Sequence, residues 1–259
     1  SPTHSGACKS YEYTVALDAQ DLQAPEWVGD RVAKLAIGKL GARSLASQKC
    51  PVIFSPRVSS GLFSQLIGAL SGASQYKKAT FLLDSIDKLI LPESISILEK
   101  PFSKKTIGAK AFDRDGVLKR QQYFVENGQV KSYVLSQYSA NQLGLKTTAN
   151  SGGVNNLIIE HQFTGDLDDM IKLMGKGLVV TELMGQGVNG TTGDYSRGAT
   201  GFWVENGEIQ YPVSGITIAG NLKDMLLGIK HVGTDVDYRG NIKVGSVLIN
   251  QMTIAGDTE

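Results

Sequence analysis

The chain has 259 residues, of which 41% are hydrophobic and 20% are charged, a composition typical of a globular protein rather than a disordered one. The formal net charge of +1, without any run of lysines and arginines, excludes a nucleic-acid-binding protein that works through a strong positive field. Two cysteines, Cys8 and Cys50, are too few for a disulfide framework, and no apolar run is long enough to span a membrane. These features predict a cytoplasmic protein.

Three elements are predicted in the first part of the chain. Apolar residues alternate with polar ones over residues 11–17, which predicts a strand. Pro25 stands where the first turn of a helix tolerates a proline, and apolar residues at helical spacing continue as far as Leu40. Gly41 is therefore the predicted end of this helix. A short buried strand is predicted over residues 52–54.

A second helix is predicted to follow this strand. Ser59 or Ser60 is its predicted N-cap, because a serine hydroxyl can accept a free backbone N–H at the start of a helix. Ser71 and Gly72 are predicted to end it. Its apolar face comprises Leu62, Phe63, Leu66, Ile67 and Leu70. Helical spacing favours a core role for this face, although the same face could serve an interface.

Two predicted β-hairpins share one turn sequence. The letters V-E-N-G occur at residues 125–128 and 204–207, and Asn-Gly is typical of a two-residue type I′ turn because both residues tolerate a positive φ. Pro212 cannot donate a ladder hydrogen bond, which predicts a sheet edge or a strand end there. The hairpins could belong to related sheets, or the repeat could be convergence on a common turn. The strands predicted beside these turns cover residues 117–126, 129–135, 201–204 and 208–213.

The remaining elements complete a mixed fold. Asp166 is the predicted N-cap of a helix that ends at Gly175, and Asn221 is the predicted N-cap of another. A further helix is predicted over residues 137–143. Further strands are predicted over residues 94–98, 155–161, 178–183, 216–219, 241–250 and 252–255. Strands outnumber helices and many pairings look antiparallel, so the predicted class is α+β, with a large, mostly antiparallel, barrel-like sheet and several packed helices.

A glycine-rich loop precedes the second hairpin. Residues 185–190 match G-x-G-x-x-G, but a strand rather than a helix is predicted to follow, which argues against a dinucleotide site. The loop could instead present backbone N–H groups and side chains to an extended peptide or a partner. It could equally be a tight connection in which Asp194 and Arg197 pair. The candidate peptide-binding or interface residues are Asn189, Thr191, Thr192, Asp194, Tyr195 and Arg197.

The three histidines form no recognisable catalytic or metal-binding pattern. His161 and the glutamate before it lie on a predicted strand, so their side chains point to opposite faces. His231 has Asp235 and Asp237 nearby in sequence, but a surface histidine in a turn is the favoured interpretation. His4 is predicted to be inert.

Three stretches carry a resemblance to a known family. They are GVNGTTGDYSRGATGFWVENGEIQYPVSGITIAGN at residues 187–221, SSGLFSQLIGALSGASQYKKATFLLDS at residues 59–85 and YVLSQYSANQLGLKTTANSGGVNNL at residues 133–157. The chain resembles the C-terminal domain of the TldD/PmbA metalloproteases, once described as modulators of DNA gyrase, in the PmbA (TldE) branch. The resemblance spans nearly the whole chain, so residues 1–259 are expected to form one such domain, without the N-terminal domain of the family.

The resemblance also implies where a metal would lie. The TldD branch holds zinc with H-E-x-x-x-H on a helix and a cysteine near the C-terminus. The corresponding helix here, residues 59–70, offers no histidine, carboxylate or cysteine, and residues 231–259 contain no cysteine. The chain is therefore expected to bind neither a metal nor another cofactor. Its degenerate metal-helix region comprises Ser59, Ser60, Phe63, Ser64 and Gln65.

By this resemblance, the chain is expected to be the non-catalytic, PmbA/TldE-like subunit of a cytosolic zinc peptidase. A TldD-like partner would supply the zinc and the catalytic residues, and no catalytic residue is assigned to this chain. Such pairs cleave unfolded peptides, peptide-antibiotic precursors and antitoxins. The alternative is a metal-free homodimer that binds peptides or partners without catalysis. Neither hypothesis involves nucleic acid or a membrane.

Overall fold

The structure is a computed structural model that describes residues 8–256. Its helices are α1 (Pro25–Ile37), α2 (Pro56–Ala69), α3 (Gly72–Tyr76), α4 (Gln137–Leu143), α5 (Leu167–Met174) and α6 (Leu222–Leu227). Its strands are β1 (Gln48–Phe54), β2 (Ser96–Glu99), β3 (Gln122–Glu126), β4 (Gln129–Val130), β5 (Leu157–Glu160), β6 (Gly177–Met184), β7 (Asp194–Glu205), β8 (Glu208–Asn221), β9 (Ile229–Val232), β10 (Ile242–Lys243) and β11 (Val247–Gly256). Within these residues, no helix combines the length and the hydropathy that crossing a membrane requires.

Five strands close into a small barrel. Antiparallel ladders join β6 to β7, β7 to β8 and β8 to β11. The ring is complete because β1 has partners on both sides, with Val52 opposite Leu178 of parallel β6 and opposite Ile249 of antiparallel β11. β9 pairs with the first part of β11 and extends the wall. The predicted α+β class with a mostly antiparallel, barrel-like sheet is confirmed.

Alternate residues of the barrel strands belong to different hydrophobic clusters. Phe54, Val180 and Ile218 are fully buried in the main core. Ile53, which lies between two main-core residues on β1, instead joins a smaller cluster with Met170 of α5. This alternation follows from the pleat of a closed sheet, in which one face fills the interior and the other is covered from outside. α5 therefore covers part of the outer surface.

A second sheet packs beside the barrel through α2. Its strands lie in the order β10-β5-β2-β3-β4, with β10 and β5 parallel and the other pairs antiparallel. α2 contacts β1 and β6 of the barrel and β10 of the second sheet. Its buried Phe63 belongs to one core that contains Phe54 of the barrel and Phe124 of the second sheet. One continuous core therefore serves both sheets.

Glu99 at the end of β2 belongs to a fully buried ion pair. The Lys119 ammonium lies 3.3 Å from Oε1 of Glu99, and the two side chains are 1% and 0% exposed. The Glu99 carboxylate also accepts hydrogen bonds from the Asn155 backbone N–H at 2.7 Å and from the Asn150 side chain at 3.0 Å. Lys119 donates to the Ala149 carbonyl at 2.6 Å. Hydrogen bonds of this kind offset the cost of removing both charges from water.

One strand of the predicted first hairpin is too long. Residues 117–126 were expected to form one strand, but β3 begins only at Gln122. The backbone before it pairs with an earlier segment of the chain, since the Lys119 N–H donates to the Ala111 carbonyl at 2.9 Å. The return strand is also short, since β4 covers only Gln129–Val130.

The predicted strand over residues 11–17 is wrong. The segment forms no ladder, and its alternation is inverted, with Tyr11 and Tyr13 exposed by 63% and 47%. The Glu12 side chain between them is only 3% exposed. Its carboxylate is held by three arginines from distant parts of the chain, which are Arg31, Arg57 and Arg239. Ion pairing rather than apolar burial thus decides which side of the segment faces the protein.

The first helix ends earlier than predicted. α1 stops at Ile37, and the backbone N–H groups of Lys39 and Leu40 donate three residues back, to Ala36 and Ile37, in tight turns. Leu40 is 58% exposed, so no apolar contact extends the helix to Gly41. No residue of α1 is buried.

The second hairpin is longer than predicted, and its turn is confirmed. β7 and β8 contain 12 and 14 residues, and the strand predicted separately at residues 216–219 is part of β8. Asn206 and Gly207 have φ values of 55° and 74°, as a type I′ turn requires. The first V-E-N-G copy lies in the second sheet rather than in the barrel. Pro212 lies inside β8, where its carbonyl accepts a hydrogen bond from the Arg43 backbone N–H.

Several other boundaries are confirmed or corrected. α4 matches the predicted helix over residues 137–143, and the side chains of Asp166 and Asn221 cap α5 and α6 as predicted. Residues 241–250 do not form one strand, because the chain passes from β10 in the second sheet to β11 in the barrel. Gly245 lies at this crossing, where a Cβ would stand 2.1 Å from the Gly233 carbonyl oxygen.

Candidate functional site

A cavity opens at the end of the barrel where β1 and β6 end and β7 begins. Its volume is about 550 Å³. The extended segment before α1, the first turns of α2, the end of β6 and the start of β7 form its wall. Residues on these four parts include Tyr11, Arg57, Ser60, Glu182, Leu183 and Arg197. Its volume is in the range typical of ligand pockets.

α2 begins before the predicted position. Ser55 is the N-cap residue and Pro56 occupies the first turn, where a proline needs no hydrogen-bond acceptor. The prediction of Ser59 or Ser60 as the N-cap is therefore wrong. Ser59 is buried inside the helix and its hydroxyl donates to the Pro56 carbonyl at 3.2 Å, whereas Ser60 lines the cavity.

The degenerate metal-helix region divides between the core and the surface. Phe63 is fully buried in the core, Ser64 is exposed and Gln65 is half-buried. Hydroxyl, amide and apolar groups are not the nitrogen, sulfur and carboxylate ligands that zinc takes. Across residues 8–256, no three His, Cys, Asp or Glu side chains are grouped so that they could hold a metal ion. The side chains of this helix therefore do not fit zinc.

The glycine-rich loop is held by its own side chains. The Asn189 side-chain oxygen accepts the backbone N–H groups of Thr191 at 2.9 Å and Thr192 at 3.2 Å. The Gly190 carbonyl accepts the Phe81 N–H at 3.0 Å, which ties the loop to the segment after α3. β7 follows the loop directly, so the predicted absence of a helix after G-x-G-x-x-G is confirmed. The loop has no helix N-terminus that could face a pyrophosphate.

Asp194 and Arg197 do not pair with each other. The Asp194 carboxylate accepts from the Thr192 hydroxyl at 2.6 Å and from the Asn221 amide at 3.3 Å. Arg197 lies farther along β7, on the cavity wall. Three of the six candidate residues, Asp194, Tyr195 and Arg197, lie on β7 rather than in the predicted loop, and of the six only Arg197 lines this cavity.

Tyr195 belongs to the barrel interior. It is 4% exposed, and its ring lies edge-on to Phe54 with centroids 6.5 Å apart. Burial raises the pKa of the Tyr195 phenol to about 12, although the charge of the neighbouring Arg197 acts in the opposite direction. The phenol is therefore neutral at physiological pH and does not serve as a base there.

The cavity wall carries more positive than negative charge. Lys9, Arg57 and Arg197 line it, and Glu182 is its one lining carboxylate. Glu182 forms a salt bridge with Lys39, so its charge is already neutralised. Arg57 lies 3.7 Å from the Glu12 carboxylate and stacks over the Tyr11 ring at 4.1 Å. Such a wall favours an anionic ligand.

The described histidines lie away from this cavity. The His231 ring packs against Phe163 with centroids 4.5 Å apart. The two acidic residues near it in sequence have other partners, since Asp235 accepts from Ser246 and Asp237 pairs with Arg239. Burial lowers the pKa of His161, against the opposing field of Asp235. His4 lies outside the described residues.

Most cavity residues were not predicted from the sequence, among them Lys9, Tyr11, Arg57 and Glu182. Arg57 precedes the helix region that the sequence singles out, and its position beside Pro56 was the available signal. Lys9 and Tyr11 carry no local signal, because the segment that contains them is held by ion pairs with residues far along the chain.

The amino-acid sequence of this chain is similar to a family of known proteins. Residues 47–256 match the family model described as the PmbA/TldA metallopeptidase C-terminal domain. The chain is 51% identical over 248 residues to an Escherichia coli O157:H7 protein named metalloprotease PmbA, which covers 96% of this chain and 55% of that protein. The chain thus spans about half the length of the curated relatives that it matches.

Solved structures share the fold. A Bacteroides thetaiotaomicron crystal structure, provisionally described as a modulator of DNA gyrase, superposes with a TM-score of 0.88 at 28% identity over 93% of this chain and 55% of its own. The crystal structure of TldE from Thermococcus kodakarensis superposes with a TM-score of 0.77 at 26% identity over 89% of this chain and 55% of its own. The matched family model and the identity to PmbA show that this chain belongs to the PmbA/TldD metallopeptidase family, as its C-terminal domain.

Proposed function

We propose that this chain is the non-catalytic, PmbA/TldE-like half of a TldD/TldE-type zinc metalloprotease. The observation that carries the proposal is the chemistry of α2, where Ser59, Ser60 and Phe63 stand in the region that carries the zinc ligands in the TldD branch. A TldD-like partner would supply the zinc and the general base. This chain would complete the chamber and help to hold an unfolded peptide.

Peptide binding would use the cavity at the barrel end together with the adjoining loop. Arg197 connects the two, since it lies on the cavity wall three residues after Asp194, where β7 begins directly after the loop. Unfolded peptides, peptide-antibiotic precursors and antitoxins are the proposed substrates, and the cytoplasm is the proposed location. The relatives named metalloprotease PmbA and TldE support the assignment to this branch.

Two measurements test this proposal. Elemental analysis of protein purified without chelator or affinity metal should find far less than one zinc per chain. Peptide hydrolysis should require addition of a histidine-bearing TldD-type partner and should stop when a chelator is added. Stoichiometric zinc in this chain, or chelator-resistant hydrolysis by this chain alone, would contradict the proposal.

A metal-free homodimer that binds peptides or partners is the second candidate. The exposed apolar side chains of Tyr11, Tyr13, Leu17 and Trp27 favour association through the N-terminal part of the described chain. Sedimentation of the purified chain, alone and mixed with the partner, separates the two hypotheses. A stable self-dimer that ignores the partner would favour this second candidate.

A further inference from the structure

The cavity at the barrel end contains positive charge that no carboxylate of the described chain neutralises. Lys39 neutralises Glu182, and Glu12 shares its charge with Arg57. Lys9 and Arg197, by contrast, form no ion pair with any residue between 8 and 256. A guanidinium and an ammonium that have no carboxylate partner among the described residues favour a ligand with negative charge.

Two polar groups of the wall also lack hydrogen-bond partners. The Arg197 Nε and the Ser10 hydroxyl are both buried, and neither has a partner within the described residues. A buried donor without an acceptor costs free energy, so the described residues leave polar groups of this wall unsatisfied. The guanidinium offers planar, parallel N–H donors that match a carboxylate.

Arg197 is held in place by rigid backbone. It lies within β7, opposite Ile218 of β8, and its neighbour Gly198 pairs with Met184 of β6. Its strand is therefore paired on both sides at this point. A donor on such a strand loses little conformational entropy when it binds a ligand.

The rest of the wall is partly apolar. Val58, Leu183 and Met184 contribute hydrocarbon to the cavity beside the charged groups. A small inorganic anion would leave this surface uncovered. The wall instead suits a ligand that joins a carboxylate to an apolar body.

We propose that this cavity binds the C-terminal carboxylate of a peptide whose last side chain is apolar, with Arg197 as the anchor and Lys9 at the rim. This inference rests on the proposed peptide-binding role. A protein that takes peptides of differing sequence needs a recognition group that each of them carries, and the chain-end carboxylate is such a group. The apolar last side chain would lie against Leu183 and Met184.

The test compares matched synthetic peptides by isothermal titration calorimetry. The first is acetyl-Gly-Ser-Ala-Gly-Leu with a free C-terminal acid, and the second is the same peptide as an amide. The third is the amide with glutamate in place of serine, which carries an internal carboxylate. The free acid should bind about tenfold or more tightly than the amide, as the loss of a charge-assisted hydrogen bond implies, and the third peptide should bind like the amide.

Variants of the chain assign the effect to the cavity. Arg197→Gln should abolish the preference for the acid, and Arg197→Lys should keep part of it. Ser60→Asp, which adds a negative charge to the cavity lining, should also abolish the preference. Arg120→Gln is the matched control, since Arg120 is exposed and bonds to the Thr147 carbonyl in another part of the fold. Thermal unfolding should show that each variant is folded.

The outcomes separate this inference from the proposed function. Equal binding of the acid and the amide would overturn the carboxylate site while leaving peptide binding intact. Equal binding of the acid and the glutamate-containing amide would overturn selection of the chain end. If none of the three peptides binds to the full chain at any concentration tested, both the inference and the proposed peptide-binding role are wrong.

Discussion

The Lys119 ammonium and the Glu99 carboxylate lie together in the protein interior, and both side chains are almost fully buried. Lys119→Met should lower the free energy of unfolding by about 3–5 kcal/mol, because it leaves a buried carboxylate without its counter-charge. Urea unfolding of the variant and the wild type measures this difference.

A double variant distinguishes pairing from simple loss of contacts. Lys119→Met combined with Glu99→Gln should cost less than the sum of the two single changes, because the amide keeps an acceptor for Asn155 and no charge remains. Additive losses would show that the two charges do not depend on each other.

The three arginines around Glu12 make the docking of the N-terminal segment dependent on pH. Burial by itself raises the pKa of Glu12, but the Tyr13 N–H and the Arg239 guanidinium outweigh it, so the folded pKa lies below its ordinary value. A depressed carboxyl pKa stabilises the fold above the unfolded pKa of about 4.3, and this contribution is lost as the pH falls through the folded pKa. Glu12→Gln should therefore cost about 1–3 kcal/mol near neutral pH and almost nothing in strong acid.

Urea unfolding of the wild type and Glu12→Gln at several pH values provides the measurement. Tyr11→Phe is a suitable control, since it keeps the ring that stacks under Arg57 and leaves the carboxylate in place. A difference between wild type and Glu12→Gln that stays constant with pH would contradict the role of the ionised carboxylate.

At the residue scale, the sequence predicts local partners well and distant partners poorly. The caps Asp166 and Asn221 bond to backbone N–H groups two or three residues away, within reach of a sequence pattern. The Arg239 guanidinium, by contrast, reaches Glu12 from 227 positions away. Nothing near Glu12 in the sequence indicates that partner. For the same reason, Lys9 of the cavity could not be assigned in advance.

At the element scale, the two V-E-N-G turns form a natural matched pair. Gly128 and Gly207 both have positive φ, so alanine is strained at either position, by about 1–2 kcal/mol. A Cβ at Gly128 would stand 2.2 Å from the Leu91 carbonyl oxygen, whereas at Gly207 the nearest atom is the Lys172 Cα at 3.1 Å. Gly128→Ala should therefore cost at least about 2 kcal/mol more than Gly207→Ala, because backbone must move.

The same urea experiment on both variants tests this comparison. Each serves as the other's control, since the turn sequence and the substitution are identical. Equal losses of unfolding free energy would mean that the backbone around Gly128 moves aside at little cost. The positive φ alone would then set the destabilisation at both turns.

Helices and strands were predicted reliably where local pattern and tertiary contact agree. α4 and α5 each begin at a residue whose side chain caps the helix, and both match their predicted bounds. Residues 11–17 show the opposite case. Apolar and polar residues alternate there as in a strand, but the side that carries Glu12 faces the protein and the tyrosines face outward. Pro56 marks the start of α2 more reliably than the serines that follow it, because a proline fits the first turn of a helix.

At the scale of the whole molecule, α2 joins the barrel and the second sheet into one cooperative unit. Phe63 is fully buried in the core that both sheets share. Phe63→Ala should lower the stability by about 3–5 kcal/mol and should shift the unfolding of both sheets together. Trp203 fluorescence, measured in a Trp27→Phe background, reports the unfolding of the barrel. Far-ultraviolet circular dichroism reports the unfolding of the whole fold.

Coincident urea transitions for the two signals, before and after the substitution, are the expected result. Leu173→Ala is the control, because Leu173 is 58% exposed on the outer helix α5 and should have little effect. Two separate transitions would show that the barrel and the second sheet unfold as independent units.

The closure of the barrel has a consequence for how this domain is made. Gln48 of β1 lies opposite Ile254 of β11, so one ladder partner of the first barrel strand lies about two hundred residues later in the chain. At synthesis rates of about 5–20 residues per second, β1 leaves the ribosome roughly ten seconds or more before β11 exists. During that interval one edge of β1, with its apolar Val52 and Phe54, has no ladder partner. A nascent chain of this kind would benefit from a chaperone that covers this edge until β11 arrives.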